Sequence, residues 1–375
     1  MKDLKVLISS VDAGAGENMC HLINLLGECD GLEILACADD PSSKIFGQNK
    51  IVHKKMNFDP LWPRNKKLSL CHGIIDNFTP DIFIAGLSNS GNGLDEWMLS
   101  VVQKNVPNCK TFLLLDDKGP VISVDGAAPD VFLSTTPAIY DWAVERGYTD
   151  VRNIGSLKHS YFMGLEIDKL RVIARKELGL LDGQSLITFV AQTDLMQGHN
   201  EGFDKFLRGV QTIWQTNKDI KLLVRGHPGA PKAGLDCYHK ALETSVDCFW
   251  SIDTPIVEVL AASDVLVSCS SSALTDYVWL SSNGTKLNAK PIFLIGIALK
   301  KWLVATQNSW RQEIVEQGLG VYCFEDVDIT TLLNNAIRGT VKNLLKDKDK
   351  LKSQFTNKNT VLKALKIDSV KVLGN

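Results

Sequence analysis

The sequence predicts an α/β protein of two doubly wound, parallel-sheet domains facing across a cleft. Three observations predict it. The chain has 375 residues, which at roughly 150 residues per domain is enough for about two. Short apolar, often β-branched runs alternate with amphipathic helical stretches along nearly the whole length, the pattern of parallel strands joined by crossover helices. The rhythm breaks over Gly155–Gly164 and then restarts, so a boundary is expected there, with domains at 1–157 and 158–375 and the C-terminal helices either staying with the second or crossing back toward the first.

In the first half the strands read Lys5–Ser9, Glu33–Ala38, Asp81–Gly86, Thr111–Leu115 and Asp130–Ser134. Helices fit between them at Glu17–Glu28, Lys66–Phe78, Asp95–Asn105 and Ala138–Arg146. A helix at Ile167–Leu178 follows the break. The second half resumes with strands at Leu186–Ala191, Ile220–Val224, Cys248–Ile252, Val265–Ser268, Pro291–Ile295 and Gly320–Phe324. No sequence repeat relates the halves, so their likeness is one of architecture.

Composition narrows the function. With 45% hydrophobic and 22% charged residues the chain is globular, not disordered, collagenous or fibrous. A net charge of −2 supplies no concentrated basic field for nucleic acid, so a ligand must be recognised at a local site. The N-terminal apolar run turns polar before it reaches signal-peptide length, and no stretch offers roughly 18 uninterrupted apolar residues. A cytoplasmic protein is expected. The nine cysteines stand singly among apolar residues without metal spacing, which reads as reduced core thiols. The last 35 residues hold nine Lys, three Asp and no Glu. That excess suits a solvated helix face, or a peripheral contact with an anionic surface such as the inner membrane leaflet.

Four segments carry chemistry. Gly14 and Gly16 follow the first strand and Glu17 opens the first helix, presenting backbone N–H groups to a ligand, or simply making a tight turn. Met19 replaces the third glycine of a dinucleotide fingerprint, which counts against NAD or FAD and leaves Asp39 and Asp40 as surface-loop residues or ribose partners. In Leu113-Leu-Leu-Asp-Asp-Lys-Gly119 two carboxylates end a strand, where one can serve as general base and the other orient it; plain turn chemistry also places them there.

In the second half, Ile220-Lys-Leu-Leu-Val-Arg-Gly-His-Pro228 ends a strand in Arg225, Gly226, His227 and Pro228. Arg225 and an imidazole suit a phosphate or leaving group, Gly226 permits close approach and Pro228 fixes the exit. Ser270, Ser271 and Ser272 join a strand to a helix, and hydroxyls with free N–H groups form an uncharged anion cradle. Ordinary N-capping explains one of them. Glu258, one helix earlier, can reach a ribose hydroxyl or stand as an exposed helix charge.

Together the glycine-rich first turn, Gly-His-Pro and the serine cluster resemble the two-domain GT-B glycosyltransferases, whose halves are both Rossmann-like. The order Asp-Asp-x-Gly, Gly-His-Pro, Ser-Ser-Ser is similar to that of bacterial sialyltransferases and related enzymes with CMP-activated donors. The resemblance implies that Asp116, with Asp117 as second choice, deprotonates an acceptor hydroxyl while His227 and Ser270–Ser272 meet the donor phosphate. Lys118 intervenes before Gly119, a departure from the motif. The run from Ser263 to Tyr277, followed by Lys290-Pro-Ile-Phe-Leu-Ile295, is also similar to glycerophosphate and capsule-polymer transferases. The layout further resembles UDP-N-acetylglucosamine 2-epimerases, which carry more acidic and basic groups than these motifs supply.

The expectation is therefore a glycosyltransferase that moves a sugar from a CMP- or other pyrimidine-nucleotide donor to a hydroxyl of a surface glycan or glycoconjugate. The acceptor belongs to the first domain and the donor to the second, with no cofactor and, without an Asp-x-Asp metal motif convincingly placed, no obligatory divalent ion. A 2-epimerase-like enzyme and a non-catalytic nucleotide-sugar-binding protein are the alternatives.

Overall fold

The computed structural model describes residues 3–86, 92–116, 118, 121, 123–192, 196–228, 230–281, 287, 289–307, 309–339 and 356–367. The chain divides into two compact units, Met1–Tyr161 with Gln354–Asn375, and Phe162–Ser353.

The first unit runs β1 (Leu4–Ser10), α1 (Ala13–Gly27), β2 (Leu32–Ala38), α2 (Ser42–Gln48), β3 (Lys54–Lys55), α3 (Arg64–Phe78), β4 (Ile82–Ala85), α4 (Leu94–Asn105), β5 (Lys110–Leu115), β6 (Val131–Ser134), α5 (Pro137–Glu145), β7 (Val151–Asn153) and α6 (Leu157–Phe162). The last of these crosses into the second unit by one residue. Its seven strands are parallel, in the order β3-β2-β1-β4-β5-β6-β7. Leu4 stands opposite Leu32 on one side of β1, and Val6 opposite Ile82 on the other. The strands are apolar on both faces because both are covered. Val6, Ile8, Phe112 and Leu114 point into the core formed with α1, while Leu7, Phe83, Leu113 and Leu115 point into the core formed with α3 and α4.

The second unit runs α7 (Ile167–Glu177), β8 (Ser185–Val190), α8 (His199–Thr216), β9 (Ile220–Arg225), α9 (Pro231–Leu242), β10 (Cys248–Ser251), α10 (Ile256–Ala262), β11 (Val265–Ser268), α11 (Ala273–Ser281), β12 (Ile292–Leu294), α12 (Ile297–Gln307), α13 (Glu313–Glu316), β13 (Val321–Cys323) and α14 (Ile329–Ile337). Its parallel sheet has the order β10-β9-β8-β11-β12-β13. A polar clamp closes the N-terminal edge of this sheet. Arg171 donates to the carbonyls of Ala261, Ala262 and Ser263 and pairs with Asp264, and Arg175 pairs with the second carboxylate oxygen of Asp264 at 2.9 Å.

The unit boundary falls at 161/162 rather than 157/158, and of the two courses open to the C-terminal helices the chain takes the one back to the first unit. Helix α15 (Lys358–Leu365) does not belong to the second unit. Val361, Leu362 and Leu365 are buried in the same core as Val6 and Met19, and Lys358 reaches the Glu28 carbonyl at 3.0 Å. An apolar face of this kind settles in whichever core has room for it, and here that core lies beside α1. The rest of the Lys-rich end, 340–355 and 368–375, lies outside the described residues.

All nine cysteines are free, and burial pushes thiols such as Cys37 and Cys71 up to about 12. Among the described residues no helix is long and apolar enough to cross a membrane, and no group of three or more His, Cys, Asp or Glu could hold a metal ion.

Candidate functional site

In each sheet the chain reverses direction beside its central strand, between β1 and β4 and between β8 and β11. Ligands of open α/β sheets bind outside the C-terminal strand ends at such points. The singled-out residues lie on these edges.

On the first unit, α1 begins at Ala13, so Gly14, Gly16 and Glu17 lie inside the helix and not before it. Neither glycine has a left-handed φ, which rules out the tight-turn explanation. Both are present for space. A Cβ on Gly14 would lie 2.7 Å from Asp116 Oδ2, and one on Gly16 would lie 2.6 Å from Ser42 Oγ. Ser42 donates to the Asp12 carbonyl at 2.6 Å and is 2.9 Å from the Ser10 hydroxyl, which braces the strand-to-helix turn. Asp116, half-buried after β5, thus rests its carboxylate on the first turn of α1, where free N–H groups and the helix dipole favour negative charge. Asp117 lies outside the described residues. Asp39 and Asp40 serve the loop: Asp39 accepts from the Phe58 N–H at 2.5 Å and Asp40 pairs with Lys55 at 2.9 Å.

Sequence reasoning passed over Asp95 and Glu96 in the first turn of α4. They are 1% and 7% exposed. Asp95 accepts a 2.5 Å hydrogen bond from Ser9 Oγ, and Glu96 closes a capping box on the Gly93 N–H at 2.9 Å. A Cβ on Gly86 would lie 2.8 Å from Ala15 and 3.6 Å from Asp95 Oδ2, so Asp95 also borders the start of α1. The signal was present in Gly93-Leu-Asp-Glu96, acidic residues after a strand and a glycine-containing loop, but it reads equally well as an ordinary helix start.

On the second unit, His227 leaves β9 in a turn closed by the Ala230 N–H on its carbonyl at 3.0 Å. Its imidazole is half-buried, and burial, then the neighbouring Arg225 charge, hold its pKa below the usual histidine value. His227 is therefore neutral near pH 7, while Arg225, 5% exposed and 3.2 Å from Ser251 Oγ, carries the positive charge. Gly226 does admit a close neighbour, but the neighbour is Trp250: a Cβ would lie 2.4 Å from its Cη2. The space that the missing side chain leaves is taken up by Trp250.

The serine run divides its work. Ser271 Oγ accepts from the Ala273 N–H at 3.2 Å, the ordinary cap of α11. Ser270 accepts from Gln312 Nε2 at 3.5 Å, and Ser272 is exposed at the helix start. Asp276, 4% exposed in the first turn of α11, escaped sequence reasoning too. With β8 between β9 and β11, about 10 Å of sheet edge separates His227 from the serines. Glu258 lies on α10, where partial burial and then the charge of Glu177 on α7 raise its pKa. Its charged neighbour is another helix, which weighs toward the helix-surface reading.

Two parallel-sheet α/β domains of this order are the GT-B fold, a pair of Rossmann-like domains. Solved structures share it over nearly the whole chain. A UDP-GlcNAc 2-epimerase from Neisseria meningitidis bound to UDP-GlcNAc matches with a TM-score of 0.68 at 11% identity, covering 97% of this chain and 100% of its own. A glycosyltransferase from Rickettsia africae matches at 0.59 and 12% identity over 98% of both chains. An Anabaena protein in complex with UDP-glucose matches at 0.61 and 11% identity, over 97% and 99%. At these identities the likeness is one of fold. No protein-family model matches the sequence, and no curated protein matches it.

Proposed function

We propose that the protein is an enzyme acting on a nucleotide-activated sugar, and that its reaction is epimerisation at C2 of a UDP-linked amino sugar. The observation that carries this reading is the convergence of two carboxylates, Asp116 and Asp95, on the start of α1. The sequence motifs alone favoured transfer to an acceptor because they supplied too few acid and base groups for an epimerase. Asp95 adds a second carboxylate that positions the edge carrying the base, and UDP-GlcNAc 2-epimerases recur among the structures similar in fold.

In this reading the second unit holds the diphosphate through the N–H groups at the start of α11, Ser270, Ser272 and a neutral His227 acting as hydrogen-bond donor. Asp116, half-buried beside the start of α1, takes the C2 proton. The C2–H pair forms a C1–C2 double bond, and the C1–O bond breaks with its electrons leaving on the diphosphate. The diphosphate oxygen re-adds to C1, water supplies a proton to the opposite face of C2, and Asp116 returns its proton to solvent, so that C2 is inverted. Asp95, nearly fully buried and bonded to Ser9, positions the edge that carries the base.

A second reading is favoured by the order Asp-Asp-x-Gly, Gly-His-Pro, Ser-Ser-Ser and by the similarity to the Rickettsia glycosyltransferase. Asp116 then takes a hydroxyl proton from a glycan acceptor and the sugar moves from the same phosphate site. Incubating UDP-GlcNAc, UDP-glucose and a CMP-sugar with the protein alone, then with glycan acceptors, separates the readings. C2 epimer or slow release of UDP without acceptor supports epimerisation, whereas acceptor-dependent transfer supports the second reading. Binding without any turnover, unaffected by Asp116→Asn, would leave a nucleotide-sugar-binding protein. Turnover persisting in EDTA is expected in either enzymatic case.

A further inference from the structure

A cavity of about 230 Å³ opens at the C-terminal ends of β12 and β13 in the second unit, lined by Ile295, Gly296, Ile297, Lys300, Phe324, Glu325 and Asp326. Apart from Ile295, which ends the Lys290–Ile295 run, none of these residues belongs to the motifs described above. The walls are held firmly. Glu325 Oε1 accepts from the Ile297 N–H at 2.8 Å, and Lys205 ties down the carbonyls of Phe324 and Glu325. Trp310 stands behind the cavity, its ring 5.8 Å from Phe324 and 4.3 Å from the Lys300 ammonium. A short relay connects this wall to the serine turn: the Gln312 N–H donates to Tyr322 Oη at 2.6 Å, and Gln312 Nε2 donates to Ser270 at 3.5 Å.

We infer that this cavity is a monosaccharide subsite, taking one pyranose ring next to the phosphate position at Ser270–Ser272. Its volume is below the roughly 300–1,000 Å³ of sites for drug-sized ligands, a size suited to a single ring rather than a whole nucleotide sugar. Its chemistry selects against a phosphate, because the exposed carboxylates of Glu325 and Asp326 repel one. Sugar hydroxyls both donate and accept, so they satisfy carboxylates that only accept and a lysine that only donates. Ile297, 59% exposed, and Phe324 offer the apolar surface that a pyranose C–H face covers. The cavity lies between one and two strands from β11, about 5–10 Å along the sheet edge. That is the reach of a sugar attached to a phosphate at the serines.

This inference rests on the nucleotide-sugar reading, and the test separates the two. The ring could belong to the nucleotide sugar itself or to a glycan acceptor. Calorimetric titrations of UDP, UDP-GlcNAc, UDP-glucose and methyl glycosides are compared between the full-length wild type and the variants Lys300→Gln and Asp326→Asn, both at exposed positions. The expected result is UDP affinity within twofold of wild type and UDP-sugar affinity reduced at least fivefold in each variant. Weakening confined to the methyl glycosides places an acceptor ring in the cavity and also supports the subsite. Equal losses for UDP and UDP-sugars, or no loss for any sugar ligand, overturns the subsite while leaving the phosphate site standing. Failure of wild type to bind either UDP or UDP-sugars overturns both.

Discussion

Gly14 makes the sharpest prediction at the scale of single residues. Gly→Ala within a helix normally stabilises by up to about 1 kcal/mol. Here the new methyl would land 2.7 Å from Asp116 Oδ2 and displace the carboxylate from the helix start. Gly14→Ala should therefore lower turnover at least tenfold with a melting temperature unchanged or raised, and unaltered turnover would remove Asp116 from the chemistry. His21 makes a prediction about pH. Burial, then the charges of Lys158 and His159, hold its pKa down to about 4 from 6.5, while the ring stacks on Tyr161 at 4.5 Å. The folded state keeps it neutral, so between pH 6.5 and 4 the unfolded chain binds the extra proton. Its contribution to stability is complete above that window and is lost as pH falls through it. Thermal melts from pH 7.5 to 4 should show this decline, and His21→Phe should flatten it.

Elements are held by contacts that local sequence does not disclose. Arg171 serves the end of α10, the start of β11 and Asp264 at once. Arg171→Ala leaves a buried carbonyl cluster and a half-paired carboxylate, and should destabilise the second unit by about 3 kcal/mol in denaturant titrations. Gly226→Ala drives a methyl into Trp250 and should cost about 1–3 kcal/mol as overpacking, read in the same titrations. The central strands were legible because, covered on both faces, they form continuous apolar runs such as Val265–Ser268, found as expected. The edge strands β3 and β7 were not. Lys54–Lys55 and Val151–Asn153 are short and polar, and they are strands only because β2 and β6 supply hydrogen-bond partners. Likewise the strand-end position of Asp116, His227 and the serines could be read from spacing. The use of Gly226 by Trp250, and of Asp95 by Ser9, depends on residues 24 or more positions away and could not.

At the scale of the molecule, the chain folds as two sheets of the same design, and its end returns to the first. Deleting the chain from residue 354 onward removes Val361, Leu362 and Leu365 from the first core. Differential scanning calorimetry should show the first unit melting earlier while the second keeps its transition. The near-neutral charge fits recognition through helix starts, hydroxyls and one buried arginine. The central claim is that the second unit holds a nucleotide diphosphate at the ends of β9 and β11. Isothermal titration with UDP, alongside CMP and GDP, tests it most directly. The account predicts saturable one-to-one UDP binding that persists in EDTA and weakens at least tenfold in His227→Ala and in the Ser270→Ala, Ser272→Ala double variant. Absence of binding by the folded wild type, or equal affinity in all three proteins, would contradict it.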